Sequence, residues 1–270
     1  MGQAILKYPG SKWQLADWIV SLMPAHKSYL EPFFGSGAVF FTKPRSRIET
    51  INDLDGEIVN LFRVIRDQPE ALERRIALTP FSRSEFEYAW ELKGDADTVD
   101  PVERARLTMV RHWMTHGSRN IYKGGWQHDR VGREYAYSLR YWNHLPERIA
   151  AVVSRLKEAQ IEQMDAVELI RRFRYPNVLI YADPPYLGST RSSRQYHSEM
   201  LGENEHKQLL EVLLAHPGPV MLSGYDNELY NDTLGSWVKL QKRALAEGGF
   251  ARVETLWLNY EPDGYQITLM

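Results

Sequence analysis

Short apolar runs alternate with amphipathic stretches at both ends of the chain. Val178-Leu179-Ile180-Tyr181 and Val220-Met221-Leu222-Ser223 are unbroken apolar segments of strand length, the pattern of strands buried on both faces of a sheet. Ser28-Tyr29-Leu30-Glu31 reads as a strand entering a Gly-rich turn, and a helix begins over Ala38 to Phe41. Ile48-Glu49-Thr50-Ile51 reads as a second strand ending at Asn52-Asp53. Leu54 to Arg66 then carries Ile58, Val59, Leu61, Phe62 and Ile65 at helical spacing. Strand, helix, strand, helix is half of an α/β sheet. The grammar resumes after Tyr175-Pro176, with a helix predicted over Glu205 to Leu214. Further strands are predicted at Trp237 to Leu240, Val253 to Tyr260 and Tyr265 to Leu269.

Residues 67–150 have a different character, so the spacing predicts two units: 1–66 with 151–270 as the sheet domain, and 67–150 as an inserted one. Ser82-x-x-Glu85 is a capping-box signal for a helix within the insertion, and Lys123-Gly124-Gly125-Trp126 predicts a hairpin or loop. Arg104 to Arg148 holds nine Lys/Arg against Asp129, Glu134 and Glu147. Trp113, Tyr122, Trp126, Tyr135, Tyr137, Tyr141 and Trp142 are interleaved with those charges. The mixture suits phosphate contacts and wedging between bases; the competing reading is a helical subdomain with aromatic core and solvated arginines. His112 and His116 lie four apart but lack a Glu in a zinc-hydrolase pattern, and are read as packing or phosphate-facing residues, with no metal expected.

Charge and composition narrow the classes. The net charge of −2 provides no chain-wide field toward polyanions, so any nucleic-acid surface must be local. No cysteine is present, which removes disulfides, thiolate metal sites and cysteine nucleophiles. No stretch approaches a membrane span and no signal-peptide core is seen, so a cytoplasmic protein is expected.

Three segments carry chemistry. Glu31-Pro32-Phe33-Phe34-Gly35-Ser36-Gly37-Ala38 lies between strand and helix, where glycines let backbone approach a ligand; a plain tight turn is the alternative. The missing third glycine argues against a dinucleotide. Asp53, ending the next strand, can accept from two ribose hydroxyls or can cap a helix. Asp183-Pro184-Pro185-Tyr186 follows a strand at the end where open α/β sheets place reactive groups. An exocyclic base amine is a poor nucleophile because its lone pair is delocalised into the ring. The Asp183 carboxylate and the Pro184 carbonyl can accept its two N–H bonds and localise that pair. The prolines stiffen the backbone, and Tyr186 can stack on an extruded base.

The order of these segments resembles the Dam-like (D12 class, alpha-type) adenine-N6 DNA methyltransferases over nearly the whole chain. Lys7-Tyr8-Pro9-Gly10-Ser11-Lys12 is similar to the N-terminal motif whose aromatic and lysine contact S-adenosylmethionine, with Ser11 where many members have a second glycine. The resemblance implies a Rossmann-like S-adenosylmethionine-dependent methyltransferase sheet with an inserted, mainly helical target-recognition domain. It assigns Tyr8, Lys12, Glu31, Phe33, Gly35, Ser36, Gly37, Asp53, Asp165 and Asp183 to the cofactor, with S-adenosyl-L-homocysteine as product. Asp183 to Tyr186 become the catalytic motif. Arg119, Asn120, Tyr122, Lys123, Trp126 and Arg130 are the candidate contacts to double-stranded DNA. The insertion lacks the Asn/Gly-rich hairpin of GATC-recognising relatives, which puts that specificity in doubt. The role, restriction-modification or stand-alone methylation, and a homodimer on palindromic sites are left open. Rival readings are cytosine-N4 methylation, disfavoured by Asp rather than Ser at 183, an RNA methyltransferase, and a catalytically silent DNA-binding regulator.

Overall fold

The computed structural model describes residues 4–93, 99–117, 123–128, 137–187, 202–245 and 251–263. Its centre is a seven-stranded sheet of order β3-β2-β1-β4-β5-β7-β6. The strands are β1 (Ser28–Glu31), β2 (Ile48–Asn52), β3 (Gln160–Glu162), β4 (Val178–Ala182), β5 (Val220–Gly224), β6 (Val238–Leu245) and β7 (Ala251–Leu258). β1 to β5 are parallel, and β7 inserts antiparallel between β5 and β6. The strand order reverses between β1 and β4. An α/β sheet binds its ligand in the crevice beyond the carboxyl ends of such a pair, because the connecting helices diverge to opposite faces there. Glu31 ends β1 and Asp183 follows β4, so both carboxylates stand at that crevice.

β4 shows why the sheet forms as it does. All five of its residues are buried, and successive side chains point to opposite faces. Leu179 and Tyr181 join one apolar cluster, while Val178, Ile180 and Ala182 join the other. Each such side chain contributes roughly 1.5–3 kcal/mol by leaving water. The second cluster is closed by α9 (Ala166–Arg172) and α10 (Glu203–Leu214), with Tyr230 of α11 (Glu228–Thr233).

The first cluster is larger. It collects α1 (Ala16–Ser21), α2 (Ala38–Thr42) and α3 (Gly56–Asp67), and it continues without a break into α4 (Pro69–Leu78), α5 (Arg83–Glu91), α6 (Pro101–Met114) and α8 (Leu145–Lys157). The described part of 69–157 is therefore mainly helical and shares a core with one sheet face; α7 (Tyr137–Asn143) also lies there. Ser82 caps α5 by accepting from Glu85 N, as its spacing predicts. The Lys123 to Trp126 segment pairs antiparallel with the end of α6 through a Thr115–Trp126 bridge. Strands β6 and β7 are longer than their apolar cores suggested, because eight-residue register pairing extends them past Leu240 and back to Ala251. The strand expected at Tyr265 to Leu269 lies outside the described residues. No described helix is long and apolar enough to cross a membrane.

The basic excess of the insertion needs correction. Arg104, Arg106 and Arg111 on α6 are not free for a polyanion. Arg104 and Arg111 bind the Glu57 carboxylate of α3 at 2.6 and 2.7 Å, and Arg106 binds Glu85 and Glu103 at 2.6 Å each. Burial would raise Glu57, but Arg111 and Arg104 with the Thr108 hydroxyl hold it below its ordinary value. Trp113 and Trp142 are likewise core residues, donating to the Ile5 and Thr79 carbonyls. A count along the sequence cannot see partners that other helices bring.

Candidate active site

The crevice at the β1/β4 switch point opens into a cavity whose walls come from four segments, one ahead of α1 and three that end or follow strands β1, β2 and β3. They are Tyr8 to Lys12, Glu31 to Ser36, Asn52 to Asp55, and Met164 to Val167; Tyr181, Asp183 and Pro185 form its inner end. Asn52 stitches three of these segments together. Its amide donates to the Pro32 and Met164 carbonyls at 2.9 and 3.1 Å and accepts from Met164 N at 2.9 Å.

The glycine loop is shaped by sterics. Gly35 has φ +50°, and a Cβ there would meet the Tyr8 ring at 3.0 Å. The missing side chain lets that ring lie on the loop. Tyr8 is in turn stacked on His112, 5.8 Å between centroids and 9° between planes. Burial pushes His112 down to about 3, so the ring is neutral and donates Nδ1–H to the Lys7 carbonyl at 2.9 Å. It is a packing residue. Gly37, at φ +67°, leaves no room for a Cβ beside Phe34 and Phe41; it starts α2 and is not in the cavity wall. The Ser36 and Ser11 hydroxyls share a 2.8 Å hydrogen bond.

Asp53 accepts Gly35 N on Oδ2 at 2.8 Å and Asp55 N on Oδ1 at 2.9 Å, so it tenses the loop across from its own strand. Burial pushes it up to about 7. The cap of α3 is Asp55, not Asp53. Asp165 caps α9 from an exposed position on the opposite rim. Glu31 is buried, accepts the Tyr29 hydroxyl at 2.6 Å, and is pushed up to about 8 by burial. Phe33 supplies an apolar wall. Six acidic side chains, those of Glu31, Asp53, Asp55, Asp165, Asp183 and Glu205, line the cavity against a single ammonium, Lys12, and they remain in excess of it although burial leaves Glu31 mostly and Asp53 partly protonated near neutral pH. Such a wall repels phosphates and favours a ligand with cationic groups and hydroxyls. The buried Tyr181 hydroxyl lies on the same wall, beside Ser223.

At the inner end, Asp183 Oδ1 accepts from Lys12 Nζ at 2.8 Å and from Ser223 Oγ at 2.9 Å. Among the described residues no donor reaches Oδ2. Lys12 also donates to the Gly10 carbonyl at 3.1 Å and the Tyr186 hydroxyl at 2.5 Å. Burial works against its charge, but the Asp183 and Glu254 carboxylates hold it well above the ordinary lysine value. Tyr186 differs from the expected open stacking face. Its ring is buried, with Tyr225 4.2 Å away and Lys12 Nζ 5.0 Å from its centroid, because its hydroxyl is drawn inward to Lys12 and Glu254. Pro184 is buried behind Pro185 and does not line the cavity.

Sequence reasoning missed Asn52, Tyr181, Ser223, Tyr225 and Glu254. One of them had a signal. Glu254 shares a strand face with Leu256 and Leu258, a charge where the period of two demands an apolar residue.

Of the candidate polymer contacts, Lys123 is exposed. Trp126 is half-buried, with His128 stacked at 5.0 Å and the Arg83 guanidinium 4.8 Å from its ring centre. Arg119, Asn120, Tyr122 and Arg130 lie outside the described residues.

Comparison with known proteins agrees with this geometry. The "DNA adenine methylase" of Salmonella typhi is 25% identical over 280 residues, covering 96% of each chain. That of Escherichia coli K12 is 24% identical over 275 residues with the same coverage. The "Type II methyltransferase M1.LlaDCHI" of Lactococcus lactis subsp. cremoris is 27% identical over 201 residues, covering 69% of this chain and 66% of the relative. Residues 8–245 match the family described as D12 class N6 adenine-specific DNA methyltransferase. With most of its length matched, including the glycine loop, Asp53 and Asp183 to Tyr186, the chain belongs to the D12 class N6 adenine-specific DNA methyltransferases.

Proposed function

We propose that this enzyme methylates the N6 amine of an adenine flipped out of double-stranded DNA, with Asp183 as the acceptor that readies the amine. One observation carries the reading: among the described residues Asp183 is anchored through Oδ1 alone, no donor reaches its Oδ2, and the residue lines the cavity. An amine N–H can take that oxygen, and the adjacent Pro184 carbonyl is the natural second acceptor once the base is seated. Localising the lone pair on nitrogen and aligning it are the contributions of Asp183 and the stiff Pro184-Pro185 backbone. Tyr186, packed against Tyr225, holds Lys12 in place from behind the site rather than facing the base.

S-adenosylmethionine, when bound, supplies an electrophilic methyl group on a cationic sulfur. Asp53 would accept ribose hydroxyls with the lone pairs that the backbone donors leave, while Tyr8, Phe33 and the Gly35-Ser36 backbone would frame the adenosine. Asp165 would meet an adenine amine, and Glu31 and Lys12 would hold the methionine end. The acidic wall suits a cofactor with two positive charges and no phosphate. Gly37 serves by shaping the loop. Residues 67–150 act as the target-recognition unit, with Lys123 and the segments flanking Trp126 as polymer contacts.

Nucleoside analysis of duplex DNA after incubation with methyl-labelled cofactor tests this reading. Labelled N6-methyladenine at mapped sequence positions is expected. Labelled N4-methylcytosine would replace the reading, and no label on varied duplexes would favour a silent DNA-binding protein.

A further inference from the structure

The polar cluster beneath Asp183 contains a carboxylate that neither sequence motif nor family description requires. Glu254, on the antiparallel strand β7, is 6% exposed and lies among groups from four other segments. Its Oε1 is 3.0 Å from Ser223 Oγ on β5, 3.1 Å from the Tyr186 hydroxyl and 3.4 Å from Lys12 Nζ. Ser223 Oγ is at the same time 2.9 Å from Asp183 Oδ1, so the hydroxyl lies between the two carboxylates and shares its one proton between them or gives it to one of them. Lys12 spans them as well. The remaining charged neighbour is Lys242, the cross-strand residue on β6, whose ammonium lies over the Trp18 ring.

The charges explain why a second carboxylate is useful. Lys12 paired with Asp183 alone would form a neutral unit, and a neutralised carboxylate is a weak acceptor for an amine whose nitrogen becomes positive as it is methylated. Adding ionised Glu254 returns the cluster to net −1, in a site sheltered from water where such a charge acts strongly. Ser223 transmits the geometry: held between Glu254 and Asp183, it fixes Oδ1 and so decides where Oδ2 stands.

We propose that Glu254 is a positioning residue for methyl transfer: through Ser223 and Lys12 it fixes the Asp183 carboxylate by Oδ1 and restores the negative charge that Lys12 cancels. This rests on the assignment of Asp183 as the amine acceptor. Burial pushes the Glu254 carboxyl up, with Lys12 opposing and the Asp183 charge adding to the rise. The ionised form is therefore lost as pH falls through a value above the ordinary glutamate range, and turnover should fall with it.

The test compares Glu254→Gln, Glu254→Asp and Ser223→Ala with Asp183→Ala in the full chain, using methyl-labelled cofactor and duplex DNA. Glu254→Gln is expected to lower kcat about 10- to 100-fold while KM for cofactor and DNA stays within about twofold. The acid limb of the kcat–pH profile should move to lower pH in Glu254→Gln, where Asp183 is the carboxylate left to protonate, and Glu254→Asp should recover part of both effects. Ser223→Ala should lower kcat in the same way, which keeps the test open if Glu254→Gln does not fold. A Glu254→Gln enzyme with wild-type kcat, or one whose acid limb stays where the wild type has it, overturns the proposal; so does a Ser223→Ala enzyme with unchanged kcat. If Asp183→Ala itself turns over normally, the failure lies in the assignment of Asp183 instead.

Discussion

Two clusters of charge in this protein use the same residue types for opposite ends. Between α3 and α6, Glu57 meets Arg104, Arg111 and the Thr108 hydroxyl, and Arg111 also donates to the Ala89 carbonyl. The cations outnumber the carboxylate, both Glu57 oxygens are bound, and Glu57 is held below its ordinary value. Beneath the cavity, carboxylates outnumber the ammonium, Asp183 keeps one oxygen without a donor among the described residues, and Glu254 is driven up. The first cluster is closed and fastens helices. The second is left one donor short at the cavity wall, which is what a site needs if its last partner is to be the substrate. Saturation of hydrogen-bonding capacity, together with the sign of the charge excess, separates the two.

Asp183→Ala is the strongest way to break that comparison. Transfer of labelled methyl should fall about 10³-fold or more, while cofactor binding by calorimetry stays near wild type. Near-normal turnover would put the second cluster in the same class as the first. Glu57→Ala should do the reverse. By uncovering Arg111 it is expected to cost about 3 kcal/mol of stability in denaturant titration, with kcat per folded molecule preserved. A loss of kcat without a loss of stability would link the α3–α6 cluster to catalysis.

The rim residues should respond more gently. Asp53→Ala removes an acceptor offered to the ribose and is expected to weaken cofactor binding by about 1.5–3 kcal/mol. Because Asp53 is raised to about 7, wild-type affinity should decline as pH falls through that value and the carboxylate is protonated. The Asp53→Asn protein should show a flat profile, and a wild type with pH-independent affinity would remove Asp53 from the cofactor's contacts. The smallest effect belongs to Lys123, an exposed cation with no carboxylate partner among the described residues. Lys123→Ala should weaken DNA binding uniformly across sequences and reduce the slope of log K against log salt by about one. The paired α6 arginines, by contrast, should contribute nothing to that slope.

The division between legible and illegible residues follows from what kind of information each needed. β4 was legible because five consecutive apolar residues admit few other structures, and Ser82 because a cap is a local hydrogen bond. Tyr186 was placed correctly along the chain, yet its expected open face is covered, because Lys12, more than 170 positions away in sequence, and Glu254 draw its hydroxyl inward. The basic stretch was misjudged for the same reason: Glu57 and Glu85 lie outside the counted window and reach it only through helix packing.

By itself, then, the chain's pattern determined strands β1, β2, β4 and β5 with the helices that follow β1, β2 and β4, the two loops at the switch point, and the Asp-Pro-Pro-Tyr segment at a strand end; β3, three residues without a buried side chain, gave no such signal. These are short-range properties, set by burial periodicity, capping and the conformational freedom of glycine. Only the tertiary structure decided which arginines are spent on glutamates, which oxygen of Asp183 stays without a donor, and that Glu254 and Ser223 stand beneath it. Charge compensation depends on distance in space, and strands β4, β5 and β7 bring together carboxylates that the sequence keeps about 70 residues apart.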